Sequence, residues 1–122
     1  MDLVATILVL AVAALHLYFL VLEMFLWQTP RGRRTFGTDE AFAARSATLA
    51  ANQGLYNGFL AAGLVWGVLA ADPVAFQAKV FFLGCVIVAG VYGGITVSRR
   101  ILLVQALPAV VALAVVFAAA QG

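Results

Sequence analysis

Four long apolar segments are the feature of this sequence that most constrains its fold: residues 3–27, 49–71, 74–97 and 101–120. A helix that crosses a membrane needs about 20 mainly apolar residues, because each residue adds about 1.5 Å along roughly 30 Å of hydrocarbon. Hydrophobic residues make up 66% of the chain and charged residues 10%, whereas about 25% of a soluble domain is charged. We therefore predict one all-α domain, an integral membrane four-helix bundle over residues 1–122, and exclude the soluble globular, disordered and disulfide-scaffold classes.

The basic residues indicate how the bundle is oriented. The arginines lie in or beside the connections that follow the first and third segments: Arg31, Arg33, Arg34, Arg45, Arg99 and Arg100. Lys79 lies on the other side, after the second segment. Because cytoplasmic loops carry an excess of Lys and Arg, both termini are expected outside. We predict a multi-pass protein of the bacterial cytoplasmic (inner) membrane, with Trp27 and Trp66 as interfacial anchors near opposite faces.

The connection 28–38 is predicted to be a cytoplasmic loop. It contains three residues that disfavour a helix, Pro30, Gly32 and Gly37. Thr38 is predicted to cap the next helix, and two acidic residues follow it, as suits the positive end of a helix dipole. No breaker separates residues 39 and 71, so the second helix is expected to extend into the cytoplasm by about three turns.

Small residues at a spacing of four predict close helix packing, because lipid supplies no hydrophobic drive between helices. The pairs are Gly54 and Gly58, Gly63 and Gly67, and Gly90 and Gly94. The sequence leaves open whether these contacts lie within one subunit or between subunits. A bundle with several such faces has spare packing surface, so a homo-oligomer is expected. Pro108 predicts a kink in the fourth helix, since the carbonyl of Val104 loses its usual donor.

Polar residues within the apolar segments are the functional candidates, because such groups are costly in a membrane. Glu23 and His16 lie seven residues apart, on one face of the first helix. We predict one catalytic site, with Glu23 as base or charge anchor and His16 as proton donor or shuttle. The two side chains are about 10 Å apart, so a water or an amide of the second helix would link them. The alternative is structural: Glu23 pairs with a cytoplasmic arginine, and His16 bonds a backbone carbonyl.

A polar face on the second helix extends this site, since Asn52 and Tyr56, like Gln53 and Asn57, are four residues apart. The candidate ligand-binding residues share a position in or near the cytoplasmic half of the bundle: Asn52, Gln53, Tyr56, Asn57, Tyr92, Gln105, Arg45 and Arg99. They predict a polar cavity open to the cytoplasm. Its outer end is expected to be closed by the apolar residues Val4, Ile7, Leu8 and Ala11.

Signatures of other chemistry are missing from the sequence. It has no glycine-rich phosphate loop, zinc ligand set or nucleophile elbow, so no metal site is predicted, and the sequence identifies no particular cofactor. Cys85 is the single cysteine and cannot form an internal disulfide. The basic cluster 31–34 lies in a short loop, where contact with anionic lipid heads is expected rather than nucleic acid. The expected partners are the lipid bilayer, a small-molecule ligand and further copies of the chain.

Several motifs resemble a family of small bacterial four-helix membrane proteins catalogued as a domain of unknown function. They cover nearly the whole chain: residues 15–16 (LH), 22–27 (LEMFLW), 29–32 (TPRG), 52–58 (NQGLYNG), 82–84 (FLG), 88–93 (VAGVYG) and 105–108 (QALP). The resemblance implies a four-helix fold and draws attention to these motifs. It implies no activity.

Residues 45–52 (RSATLAAN) on the extended second helix are also similar to the membrane-associated eicosanoid and glutathione metabolism proteins. That family forms four-helix trimers that bind glutathione at the cytoplasmic side, with an arginine and an asparagine of the second helix on the tripeptide. The resemblance implies this role for Arg45 and Asn52 only. The acidic residue that the family carries shortly after the asparagine is missing here, since segment 53–57 contains no acid.

These observations predict binding, with or without transformation, of a small amphipathic or lipid-soluble molecule in the cytoplasm-facing cavity. One alternative is a proton-coupled small-molecule exporter, because a carboxylate in the first helix would suit exchange of a proton for a cation. The apolar outer half of the bundle argues against it, since transport requires access from both sides. The other alternative is a membrane scaffold whose polar residues bind a partner helix.

Overall fold

The computed structural model describes residues 2–122, which form helices and no strands. We number five helices, α1 Leu3–Met24, α2 Pro30–Phe36, α3 Glu40–Leu69, α4 Val74–Thr96 and α5 Arg99–Gln121. Among the described residues, α1, α4 and α5 are long and apolar enough to cross a membrane. The all-α prediction is confirmed, and the protein is a multi-pass membrane protein by the length and composition of these helices.

The prediction of four helices is wrong in number, because the connection 28–38 contains the short helix α2. Pro30 occupies the first turn, where its missing N–H costs nothing. Thr29 Oγ1 accepts a hydrogen bond from the N–H of Gly32 at 3.2 Å. Gly37 ends the helix in the left-handed conformation at φ 68°, which favours glycine. The proline and the last glycine were interpreted as helix breakers, but here they cap a helix.

Helix α3 confirms the prediction of a long second helix, since it runs for 30 residues. Its N-cap differs from the prediction. Asp39 Oδ1 accepts from the N–H of Phe42 at 2.7 Å, whereas Thr38 Oγ1 is buried without a hydrogen-bond partner among the described residues. Helix α3 is not among the helices apolar enough to span, because amide side chains occupy the start of the apolar segment, at Asn52, Gln53 and Asn57.

The chain divides into two compact units, and the boundaries fall within α1 and α3. The first unit takes in the chain up to Ala13 together with Ala62–Gly122, and the second is Ala14–Ala61. In the first unit, the predicted glycine pairs contact neighbouring helices of the same chain. A Cβ at Gly67 would lie 2.7 Å from Lys79 Cγ, and one at Gly90 would lie 2.8 Å from the backbone N of Ala106. Glycine thus brings α3 close to α4, and α4 close to α5.

Pro108 is accommodated by a π-helical turn within α5, at Leu102–Ala106. The N–H of Leu107 donates to the carbonyl of Leu102, five residues back. A π turn shifts the hydrogen-bond register by one residue next to the proline, whose ring and missing N–H disturb the α-helical pattern. The sequence predicted the place of this irregularity but not its form.

Helix α1 buries a different face from the one predicted for its outer end. In the part of α1 that belongs to the first unit, the buried residues are Ala5, Val9, Val12 and Ala13. Val4 and Ile7 are 58% and 56% exposed, so they do not close a cavity. A helix that is apolar on all sides gives no sequence signal of which face packs inward.

Candidate functional site

Helices α1 and α3 approach each other closely within the second unit, because two glycines of α3 face α1. A Cβ at Gly54 would lie 2.7 Å from Met24 Cγ and 3.0 Å from Glu23 Cβ, and one at Gly58 would lie 2.7 Å from Leu20 Cδ1. A larger side chain at either position would require the neighbouring atoms of α1 to move. This contact places the carboxyl end of α1 against the middle of α3.

Glu23 is the polar centre of this contact. Its side chain is only 3% exposed, and Asn57 Nδ2 donates a hydrogen bond to Glu23 Oε1 at 2.5 Å. The Gln53 side chain is a second neighbour of the carboxyl group. The structural alternative paired Glu23 with a cytoplasmic arginine, but its partners in the second unit are amides of α3. Asn57 and Gln53 of the polar face of α3 therefore lie beside Glu23. That these side chains line a ligand site stays a prediction.

His16 lies two turns before Glu23 on the same helix and is fully buried. Its ring packs edge-on against Phe19, with centroids 5.4 Å apart and the planes at 73°. A buried imidazole held in a fixed orientation fits either a structural histidine or a proton donor. The catalytic role of His16 stays a prediction.

The other predicted residues of α3 lie at the surface of the chain. Asn52 and Arg45 are exposed, and Tyr56 is 58% exposed, with its ring edge-on to Phe59 at 5.7 Å. Their side chains are available to a ligand, to lipid or to a partner.

The remaining candidates belong to the first unit. Tyr92 is 69% exposed, Arg99 is exposed, and Gln105 is half-buried within the π turn. Among residues 2–122, no group of three or more His, Cys, Asp or Glu side chains is arranged to hold a metal ion.

Contacts that the sequence analysis missed tie α2 to the rest of the second unit. Trp27 Nε1 donates to Ser46 Oγ at 3.1 Å, and its ring lies 5.0 Å from that of Phe36. Arg31 Nη1 donates to Tyr18 Oη at 3.0 Å. The sequence analysis assigned Trp27 to the membrane interface alone, and no spacing rule could have paired it with a serine 19 residues later.

Comparison with known proteins identifies the family. The chain is similar to the uncharacterized protein YpaA of Lactococcus lactis subsp. lactis (strain IL1403), with 30% identity over 115 residues that cover 93% of this chain and 96% of the relative. No solved structure matches. The family described as protein of unknown function (DUF1304) matches residues 10–117. The resemblance to a family of unknown function is confirmed, and the chain belongs to the DUF1304 family.

Proposed function

We propose that the protein crosses the bacterial cytoplasmic membrane four times, with α3 as the remaining span. The apolar carboxyl-terminal half of α3 supports this proposal, as does the short turn that connects it to α4. The basic helix α2 then lies at the cytoplasmic face and both termini lie outside, in keeping with the positive-inside rule.

Cysteine labelling in intact cells tests this orientation. In a Cys85→Ala background, cysteines at the exposed positions Ala71 and Gln121 are expected to react with a membrane-impermeant thiol reagent, and one at the exposed position Gln28 is not. Gln28 is a better reporter than Gly37, whose positive φ strains any other residue. If only the Gln28→Cys variant is labelled, the orientation in the membrane is the reverse of the one proposed.

We further propose that the second unit binds a small amphipathic molecule through Glu23, at the cytoplasmic side. The observation that carries the proposal is a carboxyl group 3% exposed on a membrane-spanning helix and held by an amide of another helix. Such groups are expensive in a bilayer and by default mark function. The exposed Asn52 and Tyr56 on α3 would supply further polar contacts for the head of the ligand.

A carboxyl group favours a cationic head, so the test compares three dansyl-labelled alkyl amphiphiles that differ only in the head: a primary amine, a carboxylate and a neutral amide. We expect the amine to bind best to purified protein. Glu23→Gln is expected to weaken amine binding about tenfold, because it removes the charge and keeps the shape. Binding is measured by dansyl fluorescence.

Asp39→Asn is the matched control, since it removes an exposed carboxylate of the same unit and keeps an oxygen that can cap α3. Its affinity for the amine should equal that of the wild type. Absence of binding by the wild type, or equal affinity of Glu23→Gln, contradicts the proposal. Uptake of the amine into proteoliposomes, driven by a pH gradient and lost in Glu23→Gln, would establish the exporter instead.

A further inference from the structure

A half-open cavity of about 510 Å³ lies at one end of the first unit. It is formed where α1 begins, where α3 passes to α4, and where α5 ends. Ligand sites of small molecules occupy about 300–1,000 Å³. No site was predicted here, because Lys79 was used only to orient the bundle and charges at the ends of apolar segments are ordinary.

Two carboxylates line this cavity, and each accepts a hydrogen bond from a backbone N–H in the first turn of a helix. Asp2 Oδ1 accepts from the N–H of Ala5 at 3.0 Å, and Asp72 Oδ1 accepts from the N–H of Phe76 at 3.2 Å. Within residues 2–122, each of these carboxylates accepts a hydrogen bond through its Oδ1 atom alone. The Oδ2 atoms therefore remain available to a donor on a ligand.

Lys79 brings a positive charge to the same cavity. Its side chain is half-buried, and its stem packs on Gly67, where an added Cβ would lie 2.7 Å from Lys79 Cγ. In the part of the chain that the structure describes, its ammonium group makes no hydrogen bond and no ion pair. The stem of Lys79 thus packs against α3, and the side chain lines the cavity.

The rest of the lining is apolar. It includes the buried residues Ala5, Ala75 and Val116. Phe76 adds an aromatic wall, with its ring edge-on to Phe117 at 5.5 Å. A ligand that fits this lining carries an apolar part next to a head with charges of both signs.

We propose that this cavity binds a zwitterionic head of the phosphoethanolamine class, with Lys79 on the anionic group and Asp2 and Asp72 on the ammonium group. A primary ammonium has three N–H donors for carboxylate oxygens, which a quaternary ammonium lacks. A purely anionic head would supply no donor for the Oδ2 atoms of the two carboxylates. The site is separate from the binding at Glu23 proposed above, and in the proposed orientation it faces outward.

Native mass spectrometry of the purified protein with equal amounts of phosphatidylethanolamine, phosphatidylglycerol and phosphatidylcholine of the same acyl chains tests the proposal. We expect preferential retention of phosphatidylethanolamine. Lys79→Met keeps the packed stem, and Asp72→Asn keeps a capping oxygen. Each is expected to lower this retention about tenfold, because each removes one charge-assisted contact.

Lys79→Arg is expected to retain the lipid, since it keeps the charge. Gln77→Ala is the matched control on the same helix, because Gln77 is exposed and does not line the cavity. Circular dichroism and gel filtration identify any variant that has lost its fold, and Asp72→Asn then carries the test if Lys79→Met fails. Equal retention of the three lipids, or retention unchanged in both Lys79→Met and Asp72→Asn, overturns the proposal.

A second experiment separates a lipid head group from a soluble ligand of the same chemistry. O-phosphoethanolamine is titrated into the protein by calorimetry. Binding that is lost in Lys79→Met assigns the site to a soluble zwitterion, and retention of the lipid alone assigns it to a membrane lipid. Binding of neither overturns the proposal. This test and the test at Glu23 use different probes and variants, so each can fail alone.

Discussion

Gly90→Ala is expected to destabilise the protein by about 2 kcal/mol, a typical cost of forcing an extra methyl group into a packed contact. The new Cβ would lie 2.8 Å from the backbone N of Ala106 and 3.0 Å from its Cα. Backbone atoms cannot move aside as the end of a flexible side chain can. Helices α4 and α5 would have to separate at the π turn. The measurement is the free energy of unfolding in mixed micelles, followed by circular dichroism.

Gly84→Ala is the matched control, because it lies on the same helix and a Cβ there meets nothing within 4 Å. It is expected to be neutral or to stabilise the protein by up to about 1 kcal/mol, since alanine is the better helix former. Equal effects of the two substitutions would mean that the α4–α5 contact does not depend on Gly90.

The helices and their close contacts could largely be predicted from the sequence. Long apolar segments give helices because a bilayer leaves backbone groups no other partners. Glycines four residues apart predicted close approach, and Gly54, Gly67 and Gly90 all make it. The sequence left open which helix each glycine contacts, because the spacing of the glycines defines a face of their own helix and not the helix that packs against it.

The errors in the fold arose where one residue type serves two purposes. Proline and glycine interrupt helices, but they also occur at helix ends. Pro30 lies in the first turn of α2, and Gly37 follows its last turn. Thr38 and Asp39 are both good N-cap residues, and the residue types alone do not reveal which of them has the backbone geometry of the cap. In α1, uniform apolarity concealed the buried face at Ala5 and Val9.

The contact between Glu23 and α3 could be predicted from the sequence, by the rule that polar groups in a membrane form hydrogen bonds with one another. That rule led from Glu23 to the polar face of α3, and Asn57 is its partner. It did not separate Asn57 from Asn52, which is five residues away and exposed. It also missed the cavity beside Lys79, because the side chains that line it lie at the ends of the apolar segments, where charges are ordinary.

Asn57→Ala is expected to destabilise the protein by about 2 kcal/mol, because it leaves the buried carboxyl group of Glu23 without its principal donor. Asn52→Ala is the matched control on the same helix. Its side chain is exposed and makes no hydrogen bond within residues 2–122, so a change below about 0.5 kcal/mol is expected. Both free energies are measured by the unfolding assay used for Gly90→Ala.

A double-mutant cycle with Glu23→Ala then isolates the bond itself. Hydrogen bonds between membrane helices contribute about 0.6 kcal/mol on average and up to about 1.7 kcal/mol. The short contact between Asn57 Nδ2 and Glu23 Oε1, with the glutamate 3% exposed, places this pair near the upper limit. We expect a coupling energy of about 1.5 kcal/mol. A coupling energy near zero would show that Gly54 and Gly58 hold α1 against α3 without the polar pair. The burial of Glu23 would then have no structural explanation, which would strengthen the case for a ligand.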